Sequence, residues 1–574
     1  MKPPTETTAM TTSPTPMSSD VLVLGSSISA LMSAAWLRRS DPSLSVTVLG
    51  PPVGAEKRPV VGESTVEPAI LFFRALGLGP YLDQRHELKN GLTFYHKLAP
   101  SQPEDRRYTV HMPMAPLHHT ACQLHRPAFD LELGRVAAEL GVRFVHGRAR
   151  DIALGQGQGQ GQGNHKDAEH RVEASLDGGG EASLRARFVI DATGRSRVLG
   201  RKVTSYAKPS AQRSAFWFRV RNFEALLPKL ELSWRRPAEY ELWKSTHHFM
   251  GENNWIWAIP MRDEQGEAVL SMGITWRPDL VDHGIRTLDD FLAHVDDEHP
   301  AIAELVRSGE VLDTNSYRNY LYEAEQVYSD EGWFLVGDAA RSVDPLYSTG
   351  LSMTVIQIEQ IAEIIRRRRG AGITAAQIAE LEGLWTAIAE VRQADIADQY
   401  ETMSDPFQAC MRRYWNLSGW FNGVLPLWYA GYFNDPEAAT ILRRMLGKGR
   451  PATHAAWRLF ASTARTLGEV EQADFDRTLD FDWMINRAFD RPVSEVGAQV
   501  GAMLQKRAHL RLNLIRLGGW RELPSQARYL ARELALAKLV PLAFARNPAL
   551  RRGEHEQEHE QAPATTWVGA WQPT

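Results

Sequence analysis

The stretch that most limits the fold lies near the start. "VLVLG" at 21–25 is an apolar run closed by a glycine, "SSISALMSAAWLRR" behind it has helical spacing, and "LSVTVLG" at 44–50 is a second apolar run. Short apolar runs bounded by small residues read as strands buried on both faces, so residues 21–50 form a βαβ unit and the chain is α/β. "RFVIDATGRS" at 187–196 and "GWFLVGDAARSVDP" at 332–345 repeat the pattern of a strand running into a small-residue turn. Between them, residues 210–280 alternate with period two, including "NNWIWAIPM" at 253–261. That alternation puts Trp255, Trp257 and Ile259 on one face of a strand. After about residue 350 the pattern turns helical. The expected organisation is a disordered leader at 1–19, a module at 20–370 with an inserted antiparallel sheet at about 205–325, a helical region at 371–550 and a disordered tail at 551–574. "GQGQGQGQG" at 155–163 is expected to project as a loop within one domain.

At 574 residues the chain can build two or three domains around a large core. Positive and negative residues nearly cancel, 65 against 69, without a long run of either sign, which argues against a nucleic-acid partner. Cys122 and Cys410 are too few for a disulfide framework or a Cys-rich metal site and suit a reducing cytosol. The start has no apolar h-region of a secretory signal, and no apolar run reaches the roughly 18 residues of a membrane span. A soluble, cytoplasmic protein without stable membrane insertion is expected.

The first turn departs from the dinucleotide fingerprint G-x-G-x-x-G. It reads Gly25-Ser26-Ser27-Ile28-Ser29-Ala30, and the second strand ends in Gly50-Pro51 where an acid is expected for a ribose hydroxyl. Alone, this is equally a nucleotide site or a structural βαβ unit. The turns Asp191–Gly194 ("DATG") and Val336–Ala340 ("VGDAA") strengthen the first reading: Asp338 beside Gly337 can accept from a ribityl hydroxyl, and the helix that follows offers its N-terminus.

Taken in order, the three turns resemble the flavoprotein monooxygenase superfamily over roughly residues 20–370, and W-x-W-x-I-P at Trp255–Pro260 resembles the signature of flavin-dependent halogenases. The likeness is closer to the phenol and pyrrole type than to the tryptophan type. It implies an FAD-binding Rossmann-like fold of the flavoprotein monooxygenase kind, and FAD used as FADH2 supplied by a separate NAD(P)H-dependent flavin reductase. It also implies that O2 and chloride or bromide yield hypohalous acid for an electron-rich aromatic, free or carrier-tethered, in specialised-metabolite biosynthesis. The cofactor-binding residues implied are Gly25, Ser27 and Ala30; Arg58, Glu63 and Ser64 of "RPVVGESTVEP"; Arg126 of "QLHRPAFD"; and Asp191, Gly194, Gly337, Asp338 and Pro345. Lys89 of "HELKNGLTF" matches the catalytic lysine that directs hypohalous acid, and Thr349 and Gly350 of "DPLYSTGLS" would present amides to halide. Trp255, Trp257, Pro260 and Tyr347 would form the tunnel wall, the indoles keeping substrate off the oxidant. Tyr347 stands where tryptophan halogenases carry a glutamate, which points away from free tryptophan. The altered glycines imply a loosely held flavin.

Each assignment has a plainer alternative. Lys89 is otherwise a solvated surface lysine, residues 60–68 a polar loop capped by Ser64 and Thr65, Tyr347 a packing residue, and the indoles ordinary sheet core. His118, His119, His125, His247 and His248 lack a carboxylate or cysteine at ligand spacing, so no metal is expected. His247 or His248 is a candidate base for a phenolic proton. "PSQARYLARELALAKLV" at 524–540 is a basic amphipathic helix read as packed on its own core. Trp415, Trp420, Phe421, Trp428 and Tyr429 line a pocket or fill a core. Two other functions stay open: an oxygen-inserting flavin monooxygenase of the same fold, and a non-catalytic flavoprotein that binds a partner.

Overall fold

The computed structural model describes residues 17–54, 60–97, 108–111, 121–155, 169–224, 241–467, 493–517 and 519–550. Strand Met17–Leu24 pairs in parallel with Val46–Gly50 on one side and Glu181–Asp191 on the other. Trp333–Leu335 continues the parallel order beyond Glu181–Asp191, and Arg143–Ala153 does so beyond Val46–Gly50. The far ends of the two long strands are joined by antiparallel His170–Leu176, completing six strands. Apolar residues on both faces of Val21–Leu24 are buried because helices cover both sides of a parallel sheet. Helix Ile28–Ser40 packs against helices Arg126–Glu139 and Gly350–Arg369. Met17–Ser19, placed by the sequence reading in the leader, pair with Leu184–Ala186 and belong to the sheet. Residues 1–16 and 551–574 lie outside the described residues, as does 156–163 of the Gly/Gln run, which falls in the connection between Arg143–Ala153 and His170–Leu176.

The second sheet has seven strands in the order Glu310–Tyr317, Ser214–Arg221, Ala268–Trp276, Asn254–Arg262, Thr246–Met250, Leu92–Lys97, Tyr108–His111. All neighbours are antiparallel except Thr246–Met250 with Leu92–Lys97. The insert expected at 205–325 therefore recruits two strands from residues 92–111, whose short alternation was too brief to mark them as sheet members.

Period two holds along Asn254–Arg262, and both faces are buried. Ile256 and Ala258 join Phe216, Phe218, Met272 and Ile274 in a core with Phe291, Val295 and Ile302 of helices Leu288–Glu298 and Pro300–Ser308. Trp255, Trp257 and Ile259 share the opposite face with Phe94 and Trp217. Gly273 crosses from Trp257 in the ladder, and a Cβ there would stand 2.4 Å from the indole.

The helical region comprises Ala375–Ala397, Pro406–Gly419, Pro436–Ala464, Val496–Arg516 and Leu523–Arg546 among its longer helices. Thr374, Asp405 and Asp435 cap three of them by accepting first-turn amides. Trp415, Trp420, Phe421 and Trp428 are buried in core, Trp428 donating to Glu359 Oε2 at 2.7 Å; Tyr429 is half-buried beside it. Among the described residues, no helix is long and apolar enough to cross a membrane. Because the Trp257 ring fills the space over Gly273, Gly273→Val is expected to destabilise the protein by about 1–3 kcal/mol through overpacking, measured as a lower midpoint in urea unfolding followed by tryptophan fluorescence.

Candidate functional site

A cavity of about 710 Å³ is lined by residues from the βαβ turn, the later turns and the tryptophan face of the second sheet. Ser27, Ile28 and Ser29 meet Ala192, Gly194, Gly337 and Asp338 along it. The approach is close: a Cβ on Gly25 would lie 2.6 Å from the Ala192 carbonyl oxygen, and one on Gly337 2.6 Å from Ser29 Oγ. Both glycines have positive φ, +101° and +60°, where other side chains are strained. Gly50 has no room for the expected acid, since its Cβ would sit 2.7 Å from the Gly25 backbone. Ala30 is buried against the sheet and does not line the cavity.

The two aspartates diverge. Asp191 is fully buried, accepting from the Thr193 amide and hydroxyl at 2.9 and 2.6 Å and from the Leu199 and Gly200 amides at 2.8 and 2.9 Å. Its carboxylate builds the turn and is not part of the cavity lining. Asp338 instead exposes its carboxylate to the cavity, and the surrounding protein raises its pKa against the opposing charges of Arg195 and Arg126. These residues fit an FAD: small turns permit a pyrophosphate to approach the start of helix Ile28–Ser40, and Asp338 offers an acceptor for a hydroxyl.

Gly62, Glu63 and Ser64 form a further wall with Arg126. Arg126 donates to the Val61 carbonyl at 2.6 Å and grips Asp130 through two bonds of 2.9 and 2.8 Å, which orients the guanidinium at the cavity edge. Glu63 is buried, accepts from Ser271 Oγ at 2.7 Å, and is pushed up to a pKa of about 7 by desolvation. Arg58 lies outside the described residues.

Trp255 and Trp257 line the cavity with ring centroids 5.7 Å apart, beside Trp217, His248 and Ile259. Trp255 Nε1 donates to the Tyr400 hydroxyl at 2.9 Å, which donates to Asp344 Oδ2 at 2.9 Å; Arg213 pairs with the same carboxylate, both side chains fully buried. Pro260 does not belong to this wall, because the strand period turns it to the opposite face. Tyr347 is also away from the cavity: it is buried, bonded to Gln399 Oε1 at 2.5 Å, with the Arg392 guanidinium 5.4 Å from its ring. Pro345, Ser348 and Gly350 do line the cavity. Ser348 is left-handed at φ +55° and Thr349 right-handed at φ −84° at the start of helix Gly350–Arg369, and the Ser348 amide donates to the Pro345 carbonyl at 2.9 Å. Thr349, between Ser348 and Gly350, is buried and does not line the cavity.

Lys89, in strand Glu87–Lys89 paired with Ala121–Gln123, is only 1% exposed, which rules out a solvated surface lysine. Its ammonium donates to Ser64 Oγ at 2.8 Å and to the Thr65 carbonyl at 2.7 Å. Ser64 also meets the Thr246 hydroxyl at 2.8 Å and accepts from Ser348 Oγ at 3.1 Å. Ser64 and Thr246 line the cavity, so Lys89 stands one hydrogen bond behind its wall, with one N–H left beyond those two bonds. Burial pulls its pKa down to about 7, opposed by the charge of the buried Glu67. Lys97 is exposed.

The histidines separate likewise. His247 is bonded at both ring nitrogens, to the Tyr95 hydroxyl at 2.9 Å and the Trp243 carbonyl at 3.2 Å, which leaves it no lone pair for a substrate proton. His248 lines the cavity, stacks on Phe94 at 4.5 Å, and is held neutral by burial and by the nearby Lys89 charge, with a pKa of about 3. His118 and His119 lie outside the described residues. Among the described residues, no group of three or more His, Cys, Asp or Glu could hold a metal ion. Sequence reading missed Glu67, Thr246 and the Arg213–Asp344–Tyr400 cluster, whose members come from distant segments and carry no local pattern. Lys89 gives a direct check: its side-chain 15N resonance, assigned by its loss in Lys89→Met, should titrate near pH 7, protonated below and neutral above. A midpoint near the ordinary 10.4 would place the amine in water.

A family model described as tryptophan halogenase matches residues 81–392, just over half of the chain. A flavin-dependent halogenase of Dictyostelium discoideum is 24% identical over 450 residues, covering 73% of this chain and 72% of that protein. A 1H-pyrrole-2-carbonyl-[peptidyl-carrier protein] brominase of Pseudoalteromonas luteoviolacea is 24% identical over 251 residues, 43% and 55% of the two chains. The crystal structure of halogenase PltM in complex with phloroglucinol and FAD superposes with a TM-score of 0.59 at 19% identity, covering 85% of this chain and 96% of that one. That likeness establishes the fold.

Proposed function

The chain belongs to the tryptophan halogenase family, whose members are flavin-dependent oxidoreductases, and we propose that it uses FADH2, O2 and chloride or bromide to halogenate an electron-rich aromatic of phenol or pyrrole type. Curated relatives include a pyrrolyl carrier-protein chlorinase and a tetracycline 7-halogenase, which supports a substrate that is either free or tethered to a carrier. A separate flavin reductase would supply the reduced cofactor.

The observation that carries the reading is the buried lysine behind a cavity walled by two indoles. When bound and reduced, FAD supplies with O2 the two-electron oxidising power that turns halide into hypohalous acid. Ser27, Gly337 and Asp338 would hold the nucleotide part, and Glu63, Ser64 and Arg126 would flank the ring. The amides of Thr349 and Gly350 would donate to a halide, the Ser348 amide being taken by the Pro345 carbonyl at 2.9 Å. Trp255 and Trp257 exclude water and keep an aromatic substrate from the oxidising centre. Lys89 would then hold hypohalous acid through its remaining N–H, limiting attack to substrate placed beside it. A carboxyl near neutrality at Glu63 can exchange a proton inside the cavity.

Lys89→Ala is expected to consume O2 and reduced flavin at near the parental rate while halogenation of a phenol falls at least about 100-fold, the scale of losing one positioned catalytic group. Halogenation within a few-fold of the parent would remove Lys89 from the mechanism.

A further inference from the structure

Helix Leu523–Arg546 takes no part in the cavity. Its inner face is locked: Tyr529, Val540 and Phe544 are buried, and Glu533 pairs with Arg511 of helix Val496–Arg516 at 2.7 Å, both side chains at most 5% exposed. A buried ion pair of this kind cannot rotate into solvent without leaving the partner charge uncompensated. The opposite face is therefore held outward, and it too is apolar.

Leu523, Leu534, Leu539 and Leu542 are 39–56% exposed, with Leu517 and Trp520 at 48% and 66% just before the helix. These are six of the eleven large hydrophobics exposed among the described residues, four on this helix and two in the segment leading into it. The exposed charges between them are Arg528, Lys538 and Arg546, preceded by Arg521; the helix's one acidic residue, Glu533, is buried. A face that is apolar and cationic, with no exposed acid of its own, is complementary to an anionic apolar surface. A second copy of the chain would instead set arginine and lysine against arginine and lysine.

We propose that this face docks peripherally on an anionic phospholipid bilayer, the helix lying in the interface with its leucines at the acyl boundary and its basic side chains on lipid phosphates. The helix is not apolar enough to span, so the attachment is reversible and weakens with salt. The cavity is lined by other elements.

The test is co-flotation of the full chain with phosphatidylcholine vesicles, with and without phosphatidylglycerol, at low and high salt. Most of the protein should float with the anionic vesicles at low salt, and several-fold less with phosphatidylcholine alone. L534E/L539E/L542E should lose flotation while keeping the parental circular dichroism, because the replaced side chains are exposed. Failure of the parent to float, or equal flotation of the triple variant, overturns the proposal. So does a parent dimer in sedimentation equilibrium that the triple substitution converts to monomer, since the face would then belong to a second copy.

Discussion

Arg213 and Asp344 form a fully buried ion pair on which the geometry of the site depends. Asp344 opens the loop that leads to Ser348 and helix Gly350–Arg369, accepts from the Leu346 amide at 3.1 Å, and receives the Tyr400 hydroxyl that holds Trp255. One carboxylate thus ties the second sheet, the loop before helix Gly350–Arg369 and the helical region together. Removing one member of such a pair costs roughly 3–5 kcal/mol because the other charge is stranded. The cluster makes the indole wall a fixed boundary and not a set of side chains free to repack.

A second constraint is the closeness of backbone to backbone beneath the cavity. The fingerprint glycines have been replaced at two places, but Gly25 and Gly337 stay where a Cβ would collide with neighbouring atoms. Ser27 and Ala30 occupy positions that tolerate a small side chain, one at the cavity and one in the core. The missing acid after the second strand has the same origin, since Gly50 abuts the Gly25 turn. Asp338, by contrast, keeps a carboxylate that opens into the cavity.

Much of this was legible in the chain because it is local. Apolar runs ending in small turns identified the parallel sheet, and period two placed Trp255, Trp257 and Ile259 on a common face. The same rule should have excluded Pro260, which the motif resemblance carried along. Asp191 illustrates the limit of motif reading: the residue type is right for a nucleotide turn, but four local donors consume its carboxylate. Strands 92–97 and 108–111 escaped notice because they are short and their partners lie far along the chain. The surroundings of Lys89 were invisible for the same reason, being assembled from Ser64, Thr246 and Ser348, which only the fold brings together.

The proposed reaction spends an enclosed oxidant on halide and not directly on substrate. It is tested most directly by mass spectrometry of products formed from phenols and pyrroles with FAD, a flavin reductase, NADH, bromide and isotopically labelled oxygen, 18O2. The expected product carries the bromine isotope doublet and no label. A product that gains labelled oxygen and is indifferent to bromide would contradict that reaction and make the chamber that of a hydroxylating flavoenzyme.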